Sequence, residues 1–284
     1  MDVRRGAGSG CGIAEPEVRK MGTANMLLGA AGPFLFFRTI TSDQADYNLY
    51  NQMIAAGWDG QRPVVANITI NNGVVIYSTT TASPAFTIYS IPANSSIYIT
   101  NNGFIVGRGG QGVGKGYPTN TDYNLTAPAS ANGGTAFTTI VPVSIDNLNG
   151  TIGGGGGGGG AGGAIAADCS CSNCSGVALA GMGVGGGGAG FGSAGAGFQN
   201  WQNNTQYKDP ISSSAGAATT AGAVNGTGGA GGSLGQAGST GGGAARCGYT
   251  AQSGPGTGGA AGDCTSGNSN ITWVNNGIRL GALN

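Results

Sequence analysis

The sequence predicts a mainly β protein with three parts: a short N-terminal helix, a solenoid-like body of stacked β-strands, and a sandwich of glycine-rich helices of the polyglycine-II type. Three observations predict it. Between Gly107 and Gly267 the chain places 49 glycines in 161 residues. Short β-runs fill the stretch before that tract. An Asn-Gly motif recurs at long separations, its last copy beyond the glycines. Glycine weakens the interior of a helix or strand by roughly 0.5–1 kcal/mol, so ordinary elements are disfavoured across the tract. Extended three-fold helices are not, because they pack side by side where a column of glycines lets backbones touch.

The predicted organisation has four segments: a docking arm (1–38), a helix with a β-rich attachment domain (39–150), a glycine-rich domain with exposed loops (151–267), and a C-terminal strand that returns to the β-body (268–284). In the arm, Arg4, Arg5, Arg19 and Lys20 flank sequence without helical periodicity. The apolar run Met26 to Phe37 is interrupted by Gly29, Gly32 and Pro33. At 12 residues it is too short to span a bilayer, and no charged region abuts a continuous apolar core as in a signal peptide. The expectation is a segment that buries Phe34, Leu35, Phe36 and Phe37 against a neighbour or the body.

A helix is expected next. Thr41 and Gln44 fit the two ends of a capping box, Ala45, Leu49, Met53 and Ile54 recur at helical spacing, and Gly57 is placed to close it before a turn at Trp58-Asp59-Gly60. The β-runs are Val64 to Ile70, Val74 to Thr79, Ala85 to Ile91 and Ser96 to Thr100, with a tight turn at Asn71-Asn72-Gly73. The form Asn-Gly-x-Ile-x-Gly appears at Asn102 and again at Asn149, more loosely at Asn276, and partially at Asn72. Each copy follows apolar or β-branched residues. The copies lie too far apart to be partners in one hairpin, so they predict equivalent corners of a stacked structure. The copy at Asn276 implies that the glycine tract is an insertion anchored at both ends.

Composition narrows function. Eleven basic residues balance 11 acidic ones and there is no histidine. The basic footprint of a nucleic-acid binder is absent, as is the commonest general base and metal ligand. Gly109 to Lys115 imitates a phosphate-binding loop, but Gly116 stands where Ser or Thr should hold magnesium. No carboxylate pair for glycoside hydrolysis emerges. The reading is therefore a non-enzymatic protein with no cofactor, no metal, no nucleic-acid partner and no membrane insertion.

The cysteines bracket the glycine tract. Cys169, Cys171 and Cys174 lie just past the octaglycine run, Cys247 and Cys264 lie near its end, and Cys11 stands alone in the arm. Disulfides between the first cluster and Cys247 and Cys264 are expected, each worth about 4–5 kcal/mol for loops of roughly 70–95 residues. Zinc is the alternative, but only one Cys-x-x-Cys pair exists.

Aromatic islands separate the glycine blocks. Phe191 and Phe198 suit caps for glycine layers. Trp201 and Tyr207 sit among polar residues, and Tyr249, Tyr117 and Tyr123 lie in other loops. These five are the candidate binding residues, because aromatic and small polar side chains on a rigid scaffold make contact surfaces at low entropic cost.

The pairing of Thr100-Asn101-Asn102-Gly103-Phe104-Ile105-Val106-Gly107-Arg108-Gly109-Gly110 with Ile145-Asp146-Asn147-Leu148-Asn149-Gly150-Thr151-Ile152 and the following glycine run resembles the glycine-rich adhesins at the tips of T-even-type phage long tail fibres. The resemblance spans about residues 95–267. It implies a virion protein exposed on a tail or fibre. Its β-part would join other tail or fibre proteins, and loops on its glycine sandwich would bind a host surface protein or glycan. It leaves a homo-oligomer open. The cysteine cluster and the N-terminal arm depart from the family pattern. The alternatives are a structural tail-tip, capsid-fibre or decoration protein without receptor binding and, more remotely, an ice-binding protein, whose flat face the aromatic islands at 198–207 would interrupt.

Overall fold

The computed structural model describes residues 32–112, 130–162, 166–167, 178–179, 188–190, 227–243 and 254–284. Residues from Pro33 on belong to one unit, in which short parallel strands stack into three sheets. Each turn of the stack contributes one strand to each sheet, corner by corner. The first rung is Phe34–Ile40 (β1), Gln44–Ala45 (β2) and Tyr47–Asn48 (β3), followed by the helix Leu49–Ala55 (α1). The second is Val64–Ile70 (β4), Val75–Tyr77 (β5) and Phe86–Ile88 (β6). The third is Ser96–Asn101 (β7), Phe104–Val106 (β8) and Phe137–Thr139 (β9), with residues 107–136 inserted before its last strand. The fourth opens with Val143–Asp146 (β10) and Thr151–Gly153 (β11). A longer insertion follows, within which Ala166–Ala167 (β12) pairs antiparallel with Ala178–Leu179 (β13), and Thr265–Ser266 (β14) then closes the rung. Ile271–Asn275 (β15) and Ile278–Leu280 (β16) form the fifth, which bridges back to the fourth at Thr265 and Leu283.

Stacking turns sequence alternation into columns. On the inner face, Ile68, Ile99 and Ile145 align and end on Trp273. Ile76, Ile105 and Ile152 align and end on Arg279. Tyr47, Phe86 and Phe137 form the third column, with ring centroids 4.8 and 5.3 Å apart. The isoleucines and both phenylalanines of these columns are completely buried, each worth roughly 1.5–3 kcal/mol. The last rung substitutes a half-buried lid, with the Arg279 guanidinium 4.8 Å from the Trp273 ring centroid. Such a lid blunts the open end of the stack.

The Asn-Gly copies are the corners between the first and second strands of rungs two to five. They turn the chain from one sheet into the next, which requires close approach. A Cβ on Gly103 would overlap the Val74 carbonyl oxygen, and one on Gly150 would overlap Asn101. At Gly277 φ is +53°, and a Cβ there would strike the Asn147 carbonyl. Inside the corners Asn101 and Asn147 are fully buried and bonded to each other.

Several expectations change. The helix does not start at Thr41: Gln44 lies in β2, and the cap is Asn48, whose Oδ1 accepts from the Asn51 N–H at 3.1 Å. The polar residues before it serve the stack instead. Asp43 accepts from the Val75 N–H, and Asp46 from the Thr79 N–H. Gly57 closes the helix at φ +95° as expected. The expected boundaries shift as well. Phe34 to Arg38 are not arm but part of β1, with Phe36 in the core and Leu35 and Phe37 exposed on the outer face. The glycine-rich part begins at Gly107 rather than at residue 151.

Candidate functional site

The glycine segments build a bundle whose axis is Gly154 to Ala161. Its N–H groups point to neighbours in rotation. Gly155 and Gly158 donate to Gly134 and Ala131, Gly157 and Gly160 donate to Gln236 and Ser239, and Gly156 donates to Ala189. Carbonyls follow the same rule. Those of Gly155, Gly158 and Ala161 accept from Gly262, Gly259 and Gly256, and those of Gly154, Gly157 and Gly160 accept from Gly235, Gly232 and Gly229. A three-residue hydrogen-bond period with no bonds inside the segment is that of an extended three-fold helix.

The absent side chains make this packing possible, again with period three. A Cβ on Gly154, Gly157 or Gly160 would overlap carbonyl oxygens of the 256–262 segment. One on Gly156 or Gly159 would overlap those of 229–232, and one on Gly155 or Gly158 those of 108–111. Backbone amides held this way leave little polar surface unsatisfied, so the bundle needs almost no apolar core.

One end of the bundle rests on the solenoid, where Gly107 donates to Gly153 and Gly154 donates to Leu280. The other lies roughly 25 Å away, given a rise of about 3.1 Å per residue from Gly154 to Gly162. There Ala131 donates to Gln111, Gly256 to Ala161, Gly241 to Gly256 and Gly242 to Thr227, and the Ser130 hydroxyl donates to Thr257 at 2.9 Å. The described residues that flank 113–129 and 244–253 lie at this end, and so does Thr227 after 191–226, whereas Gly190 before that segment packs on Gly107 to Gly109 near the solenoid. Tyr117, Tyr123, Trp201, Tyr207 and Tyr249 belong to these segments and lie outside the described residues. Among the described bundle residues the charges are Arg108 and Asp263, both near the solenoid.

Cys264 sits at the return into β14. Its thiol is free and fully buried, and donates to the Ile152 carbonyl at 3.2 Å. Burial pushes its pKa up to about 11. The structure thus gives Cys264 a packing role in place of the expected disulfide. Cys169, Cys171, Cys174 and Cys247 lie outside the described residues. Among the described residues no group of His, Cys, Asp or Glu could hold a metal ion, and no helix is long and apolar enough to cross a membrane.

Sequence reasoning missed Leu234. It occupies the turn Ser233-Leu234-Gly235-Gln236, in which Gln236 donates to Ser233 at 2.9 Å and Gly235 has φ +67°. Leu234 is buried with Val106 and Ala189, and Val75, Tyr77 and Leu280 pack against them. The Ser-Leu-Gly-Gln string, a lone large apolar residue beside a turn glycine, was the available signal.

A family model described as phage tail fibre adhesin Gp38 matches residues 36–284. No curated protein matches the sequence. Among solved structures, a chain of the gp37-gp38 adhesin tip complex of the bacteriophage S16 long tail fiber shares the fold with a TM-score of 0.55. It is 22% identical, and the match covers 88% of this chain and 82% of that chain.

Proposed function

Since the chain belongs to the Gp38 family of phage tail fibre adhesins, and is thus a receptor-binding component of the virion tail fibre, we propose that it reads the host surface with the far end of its glycine bundle. The observation that carries this reading is topological. What supports it is that the described residues flanking 113–129 (Tyr117, Tyr123) and 244–253 (Tyr249) lie at the bundle end furthest from the solenoid, as does the residue that follows 191–226 (Trp201, Tyr207). The rigid bundle holds those loops at low entropic cost. The sparse charge of those segments, which carry only Lys115, Asp122, Lys208, Asp209 and Arg246, favours hydrogen bonding and stacking, on glycans or on exposed protein loops, over electrostatic capture.

The solenoid and the arm before it are the parts we assign to the rest of the fibre. Within the body from Pro33 on, this division keeps the solenoid for attachment and the opposite end of the bundle for recognition. Competition tests the proposal. Purified protein added to host cells before phage should slow adsorption in a dose-dependent way, and its failure to compete at saturating concentration would contradict it.

A further inference from the structure

Among the described residues the chain passes between solenoid and bundle at Val106–Gly107, Thr135–Ala136, Gly153–Gly154 and Asp263–Cys264. These crossings lie on the third and fourth rungs, which stack only about 5 Å apart. Four crossings on two adjacent rungs make a narrow waist, about which a bundle lacking a core of its own is free to tilt. Apart from Leu179 of β13, Leu234 is the one large aliphatic residue among the described residues of the glycine-rich insertions. Its side chain rests on the outer face of the sheet that holds β8, β11 and β16, beside two of the crossings, in a cluster that Tyr77 and Leu280 extend to the second and fifth rungs. That face is shaped for it. Tyr77, Val106, Gly153 and Leu280 form one outward column, and Leu234 is seated over Gly153, where an added Cβ would lie in ordinary contact with it at 3.5 Å and only a larger side chain would displace it. The turn is held down by the Gly235 N–H, which donates to Gly154 at 2.7 Å. Arg108, donating to the Thr79 carbonyl, ties the base of the bundle to the second rung.

We propose that Leu234 is a positioning residue for receptor recognition: a pin in the Gly153 seat that fixes the angle of the glycine bundle, and so of its distal loops, relative to the fibre-bound solenoid. This rests on the reading of the far end as the receptor-binding end. A pin acts only when the solenoid is held. Free protein can turn to meet a receptor, whereas a fibre-mounted one depends on its built-in angle.

The test compares the two situations. Phage carrying Leu234→Ala or, from the solenoid side, Gly153→Val should assemble with full tip occupancy and adsorb at least fivefold more slowly. The purified variants should bind host cells with affinities within twofold of wild type, and Leu234→Met should restore adsorption. Electron-microscope images of the variant fibre tips should show a wider spread of bundle angles. A tip-angle spread unchanged from wild type would overturn the pin, as would a parallel loss of free and virion-borne binding. If wild-type free protein fails to bind cells, the receptor reading fails instead, and the tip-angle spread still decides the pin.

Discussion

Asn101 and Asn147, 46 residues apart and both fully buried, are joined by a 2.7 Å hydrogen bond from the Asn101 amide to the Asn147 side-chain carbonyl. Asn147 in turn donates to the carbonyls of Asn276 at 2.9 Å and Ile278 at 3.1 Å, and Asn101 accepts from the Gly103 N–H. The pair ties the corners of three successive rungs. Replacing Asn147 with Leu strands several buried polar groups, each costing about 1–3 kcal/mol. Chemical denaturation should show a loss of about 3–5 kcal/mol. The exposed neighbour pair, Asn149 donating to Asn102 at 3.2 Å, provides the contrast. Asn149→Ser should change stability by less than about 0.5 kcal/mol.

The glycine bundle makes a second contrast between two glycines of identical chemistry. A Cβ on Gly157 would overlap the Gly259 carbonyl, whereas one on Gly243 meets nothing within 4 Å. Gly157→Ala should force neighbouring segments apart and cost about 3 kcal/mol or more by overpacking. Gly243→Ala should be close to neutral. Thermal melting of both variants checks this, and equal effects would contradict the three-fold packing.

Alkaline pH should weaken the solenoid. Burial raises the Cys264 thiol from 9.0 to about 11 and the Tyr47 phenol from 10.0 to about 12. Both groups are neutral when protonated, and the folded state holds those protons more tightly. Their stabilisation is therefore complete below the unfolded values. It is lost as pH rises from about 9 for the thiol and about 10 for the phenol, at about 1.4 kcal/mol per pH unit for each group. The Tyr47 hydroxyl is also buried without a hydrogen-bond partner. Tyr47→Phe should cost nothing near neutrality or stabilise by about 1 kcal/mol, and should flatten the loss above pH 10 in equilibrium unfolding.

Truncation separates arm from body. Deleting residues 1–31 should leave the fold intact, because β1 starts at Phe34. Deleting residues 1–38 removes most of β1, which pairs along its whole length with β4, and uncovers Val64, Ala66 and Ile68. Circular dichroism and melting of the two truncations should therefore differ sharply.

Much of the architecture was legible because stacking repeats itself in the sequence. The Asn-Gly copies marked real corners, and the strands from Val64 to Asn101 sit close to their expected places. The copy at Asn276 correctly implied a chain that returns to the body. The helix start was misread because Thr41 and Gln44 imitate a capping box, while Asp43 and Asp46 answer to Val75 and Thr79, more than 30 residues away. A local pattern cannot register such partners. The same holds for Cys264, whose neighbour Ile152 lies 112 residues earlier. It holds again for Leu234, which packs on Val106 and Ala189, both distant in sequence. The candidate contact residues rest on chemistry alone, aromatic side chains among small polar ones in segments outside the described residues.

The central claim is that those aromatic side chains, carried at the far end of the bundle, are what the virion uses to hold its host. The most direct measurement is the adsorption rate of phage whose adhesin carries Trp201→Ala, Tyr207→Ala and Tyr249→Ala together, with fibre-tip occupancy quantified on the same particles. At full occupancy the rate should fall at least tenfold, about 1.4 kcal/mol of binding free energy. Wild-type adsorption by fully occupied particles would contradict the account.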